Sequence, residues 1–120
     1  MSSQNFQPGD FLIFQIESGY GLLRVLAVEE TANDKIWHLA AYEDLFLDVE
    51  TADAALEDSF NLSISHPHLA LTNRAFESTQ VARMKNVPLE DAELVAFEEW
   101  KKNLTSEVSD RSVRLMLGLR

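Results

Sequence analysis

The chain contains no cysteine, which excludes a disulfide, a thiolate nucleophile, a zinc ribbon and a cysteine-ligated iron–sulfur cluster. It also lacks an apolar run of the ~18 residues needed to cross a bilayer. The opening residues, Met1 to Pro8, have neither the basic n-region nor the apolar h-region of an export signal, so a cytoplasmic protein is expected. A phosphate-binding glycine loop, a Gly-x-Ser-x-Gly elbow and a His-Glu-x-x-His pair are all missing. With twenty acidic residues, a neighbouring pair such as Glu29 and Glu30 carries no weight as a catalytic acid and base. Neither an enzyme nor a bound cofactor is expected. No internal repeat, low-complexity tract or interdomain linker breaks the chain, and residues 1–120 are read as one domain.

What the chain does contain is an ordinary globular composition: 120 residues, 46 % apolar and 9 % aromatic. That length buries roughly two-thirds of the unfolded surface, enough to fold without covalent staples. Pro8-Gly9-Asp10 is a turn signal before the apolar run Phe11 to Ile16, which reads as a buried strand. Glu17-Ser18-Gly19-Tyr20-Gly21, with two glycines able to take positive φ, suits a tight reversal into Leu22 to Val28, forming a β-hairpin. After the polar turn Thr31 to Lys35, the segment Ile36 to Tyr42 completes a three-stranded antiparallel meander. Thr51 to Asp58 reads as a short helix capped by Asp48 or Thr51. Leu62 to Ile64 and Leu69 to Leu71 read as separate extended pieces interrupted at Pro67, and Thr72 or Asn73 caps a short turn.

Val81 to Val87 supplies a further strand. Pro88-Leu89-Glu90-Asp91 then has the proline and acids of a helix start, and Leu94, Phe97, Trp100 and Leu104 repeat at helical spacing toward Asn103. Val113 to Arg120 is ambiguous between strand and helix. A cap at Ser106 or Ser109 and a stop at Gly118 favour helix. The expected fold is therefore a small α+β domain, an antiparallel sheet of about four to six strands packed by the C-terminal helices.

The formal charge is −10, and all of it lies in the first half. Residues 1–60 carry twelve acids against Arg24 and Lys35, whereas residues 61–120 are balanced. Such a field repels phosphate backbones and anionic lipid and attracts basic proteins. Nucleic-acid and membrane binding are not expected. A basic protein partner is, through Glu43, Asp44, Asp48, Glu50 and Asp53, with Trp37 or Tyr42 as an aromatic anchor if exposed. The same acidic run does not spell a calcium loop: one starting at Asp48 would need glycine where Asp53 stands. A second reading is a small-ligand or metal site built from His38, His66 and His68, because the two imidazoles of His66-Pro67-His68 share a side if that segment is extended.

Phe6-x-Pro8-Gly9-Asp10-Phe11, followed by Gly19-Tyr20-Gly21-Leu22-Leu23-Arg24-Val25-Leu26, resembles the opening of a bacterial immunity-protein family from polymorphic toxin systems. In that family a Gly-Asp turn enters the first strand and a glycine-rich hairpin leads into the second. The resemblance covers about the first third of the chain. Pro88 to Trp100 is similar to the helix of related uncharacterised bacterial proteins. The resemblance implies a protein that neutralises a toxin by binding it and performs no chemistry of its own.

Overall fold

The structure is a computed structural model and describes residues 5–30, 32, 34–103 and 107–118. Five strands, β1 (Asp10–Ile16), β2 (Gly19–Glu30), β3 (Lys35–Phe46), β4 (Ile64–Thr72) and β5 (Val81–Asn86), form one open antiparallel sheet in the order β4-β3-β2-β1-β5. The helices are short: α1 (Val49–Ala55), which continues as a 3-10 turn, α2 (Asn73–Glu77), α3 (Val95–Lys102) and α4 (Val113–Leu117). This is the expected α+β architecture. Among the described residues no helix is long and apolar enough to cross a membrane.

The meander forms because β1 and β2 are rich in large apolar and β-branched residues and the β1–β2 turn needs only Glu17 and Ser18. Gly21 does not adopt positive φ; its reason is space, since a Cβ there would lie 2.6 Å from Cζ of Phe14. Gly9 does adopt it, with φ of 95°, and so turns its carbonyl inward to a buried arginine. On one face, Leu12, Phe14, Leu23, Val25, Trp37 and Leu39 are covered by Phe76 of α2 and Val113 of α4. On the other, Phe11, Ile13 and Leu22 pack on Ala52 and Leu56, while Leu26 and Ala40 pack on Phe97 of α3. The two C-terminal helices thus cover opposite faces.

Two expectations are corrected. The extended pieces around Pro67 are a single strand, β4. Pro67 costs that strand little because β4 is an edge and its register with β3 shifts between the Leu39 and Ala41 pairings. The helix expected from Leu89 begins later. Glu90 makes no side-chain cap, Asp91–Leu94 winds as a 3-10 turn, and α-helix starts at Val95. Leu104 and Ser106, expected as stripe and cap, lie outside the described residues.

Local capping otherwise follows the chain. Asp48 accepts from the Thr51 N–H at 2.8 Å, Thr72 caps α2, and Gly118, with φ of 70°, ends α4. Ser112, rather than Ser109, caps α4. Ser109 instead adds a parallel bridge to the β4 edge: its N–H donates to the Ala70 carbonyl at 2.8 Å and its carbonyl accepts from Thr72 at 3.0 Å.

Candidate functional site

Three places concentrate polar chemistry or exposed apolar surface. The first is the end of β3 and its turn into α1. Leu45, near the end of β3, Leu47, in the bend after it, and Val49, the first residue of α1, are 50 %, 85 % and 42 % exposed. Single exposed leucines are ordinary, but three large apolar residues within five positions form a patch. Acids surround it, and no lysine or arginine occurs between Lys35 and Arg74. The five acids have different roles. The Asp44 carboxylate accepts from the Ser63 N–H at 2.7 Å. The Asp48 carboxylate is held by Thr51, and those hydrogen bonds keep its pKa below the ordinary value. Glu43, Glu50 and Asp53 are exposed and have no side-chain partner among the described residues, leaving them free for an external cation.

The aromatic anchors proposed from sequence do not protrude. Trp37 is 1 % exposed, stacks on Phe76 at a centroid distance of 4.1 Å and donates its indole N–H to Asn73 Oδ1 at 2.8 Å. It belongs to the core, because β3 turns it toward the face that α2 covers. Tyr42 is half-buried on the opposite face, near Phe11.

The second place is the histidine array. His38, with no exposed surface, meets Glu29 Oε1 through Nε2 at 2.7 Å and His68 Nε2 through Nδ1 at 2.9 Å. Phe97 and Trp100 of α3 pack against both rings. A carboxylate only accepts, so Nε2 of His38 carries the proton. In the neutral ring Nδ1 then accepts from His68 Nε2–H, leaving Nδ1 of His68 as a lone pair. That atom has no partner among the described residues. His68 borders a groove of about 560 Å³ together with Trp100, Ser109 and Arg111.

Bulges assemble this array. Leu23 and Val25 face one core, but the β2 register shifts between Val25 and Ala27, which turns Ala27 and Glu29 to the side of His38. The β4 irregularity does the opposite to His66: it pairs with Ala41, away from His68, and touches Ser65 Oγ at 3.0 Å. The three histidines therefore do not meet, and the metal site expected from them is corrected. Among the described residues no three His, Asp or Glu side chains are placed to hold a metal. Glu29 completes the array, although along the sequence it is one acid among twenty. No sequence signal identifies it without the bulge.

Burial depresses the His38 pKa against the opposing pull of Glu29, and burial together with the neighbouring His38 brings His68 from 6.5 down to about 4. The unfolded chain titrates near the ordinary value, so below pH 6.5 it takes up protons that the folded state refuses. Stability is full above that pH and is lost as pH falls toward about 4. With solvent screening of the half-exposed His68, the loss from this residue is about 1–2 kcal/mol. Urea midpoints measured from neutral to mildly acidic pH are expected to fall, and His68→Gln to flatten that slope. An equal slope in both proteins would place the titration elsewhere.

The third place is a cavity of about 190 Å³ between the sheet and α3. Its floor holds Arg24, 2 % exposed. This guanidinium donates to the Gly9 carbonyl at 2.6 Å, to the Pro88 carbonyl at 3.3 Å and to the Glu93 carboxylate at 2.9 Å, and lies 4.2 Å from the centroid of the Phe11 ring. It is a structural ion pair that ties the approach to α3 onto β2. Tyr42 forms one wall. Compared with known proteins, this chain matches no family model, no curated protein and no solved structure.

Proposed function

We propose that this protein acts by binding a basic protein partner through the turn from β3 into α1, as an immunity-type inhibitor occludes its toxin. The observation that carries the reading is the apolar row Leu45, Leu47 and Val49 exposed among carboxylates. Apolar residues of this kind supply the water-excluding centre of an interface, and unpaired acids around them supply encounter rate and register. Glu43, Glu50 and Asp53 are the contacts for partner cations. Asp44 and Asp48 hold the turn in shape.

The test uses the full chain. A protein retained from its source lysate at low salt and released by raised salt is purified and titrated against wild type and Leu47→Asp by calorimetry. The partner is expected to be basic. Leu47 is almost fully exposed, so the substitution leaves the fold intact while weakening binding by about 30-fold, the effect of a hot-spot residue. Glu50→Lys is expected to slow association, with little change at high salt. An acidic partner, or a basic one that binds Leu47→Asp as tightly as wild type, overturns the reading.

A further inference from the structure

The cavity between the sheet and α3 opens beside the same end of β3. Tyr42 in its wall precedes Leu45 by three residues, about 10 Å along a strand, and Ile64, which pairs with Tyr42, contributes to the rim. Its walls are apolar, with Leu26, Ala40, Pro67 and Ala96. Ile64 and Val95 at the mouth are 47 % and 55 % exposed, uncovered surface of the kind a partner buries. The volume of about 190 Å³ is below that of sites for drug-sized ligands, ~300–1,000 Å³, and suits one inserted side chain.

The polar groups specify which side chain. Arg24 and Glu93 neutralise one another on the floor. Glu99, exposed at the rim, has no partner among the described residues and leaves one uncompensated negative charge. The nearby cation Lys101 lies over the Phe97 ring at 5.3 Å. Apolar walls with one unpaired carboxylate at the mouth match a side chain whose methylene stem lies against the walls while its cationic head turns back to the rim.

We infer that this cavity is the anchor socket for a lysine or arginine side chain of the partner, its stem against Leu26, Ala40 and Ala96 and its head turned back to Glu99 at the rim. The inference rests on the proposed recognition of a basic protein, and it adds the point at which that protein is gripped. It also distinguishes this face from the Leu47 turn, which is recognised by apolar contact.

The test needs no partner. N-acetyl-lysine methylamide, its arginine counterpart and the neutral N-acetyl-norleucine methylamide are titrated into the full chain while the methyl resonances of Ala40, Ile64, Val95 and Ala96 are followed. Saturable shifts confined to these methyls are expected with the two cationic amides. Glu99→Gln is expected to weaken the cationic amides about threefold, the effect of one solvent-exposed ion pair, and to leave norleucine unchanged. Ala96→Leu, which fills the cavity, is expected to abolish the shifts. Norleucine binding as tightly as lysine, or no saturable shift with any amide, overturns the socket. The Leu47→Asp measurement is independent of this cavity, so loss of partner binding there alongside silent methyls would leave the partner reading standing and remove only the socket.

Discussion

Arg24→Met is expected to destabilise the protein by about 3–5 kcal/mol, the cost of breaking a buried ion pair from one side. The guanidinium serves three acceptors on segments far apart in sequence: the Gly9 carbonyl, the Pro88 carbonyl and the Glu93 carboxylate. Methionine fills much of the volume over Phe11 but donates nothing. Gly9 then loses a bond of 2.6 Å, and Glu93 keeps a charge with no counter-charge. Against a total of about 5–15 kcal/mol for a domain of this size, the loss is a large share. Glu93→Gln retains an acceptor and is expected to cost less, and the double variant to cost less than the sum. Guanidinium-chloride unfolding of the four proteins makes the comparison. An Arg24→Met loss below about 1 kcal/mol would mean that the pair is solvated like a surface salt bridge.

Trp37→Ala is the second large effect, about 3–5 kcal/mol, because it removes a fully buried indole and leaves a cavity the sheet cannot close. Its ring stacks on Phe76, meets the Phe6 edge at a centroid distance of 6.4 Å and anchors Asn73 through a hydrogen bond. Loss of the indole frees the Asn73 carboxamide and loosens α2 against β3. The result also separates core from interface. As part of the core, Trp37→Ala lowers the unfolding midpoint, whereas Leu47→Asp, at a residue 85 % exposed, leaves it nearly unchanged. The reverse pattern would return Trp37 to the surface role that its sequence suggested.

Trp37 shows where reading along the chain stops. Its place in a strand was legible from the aromatic, alternating segment Ile36 to Tyr42, since that pattern is local. Which side of the strand would be covered was not, because the cover is α2, nearly forty residues away. The acids behave similarly. Their abundance near α1 is plain, yet Asp44 is taken up by Ser63 and Asp48 by Thr51, while Glu43, Glu50 and Asp53 have no side-chain partner among the described residues. Only the cap of α1 joins residues close in sequence, and there the chain by itself leaves Asp48 and Thr51 as alternatives. The exposure of Leu45, Leu47 and Val49 is not legible along the chain, because it depends on which surface the distant elements leave uncovered.

The meander, the hairpin, the stop at Gly118, the α+β class and the concentration of negative charge in residues 1–60 all follow from the chain alone, and the caps of α1 and α2 follow to within a choice of two residues each. They depend on periodicity, backbone preference and composition within a few residues of each position. The sites depend on register. One shift in β2 brings Glu29 to His38, and another irregularity in β4 keeps His68 beside it while sending His66 away. Because side chains alternate with a period of two, a single extra residue moves every later side chain to the other face. The energy that selects such a shift comes from packing against distant elements. For that reason the histidine array, the Arg24 floor and the cavity beside Tyr42 exist only in the folded sheet.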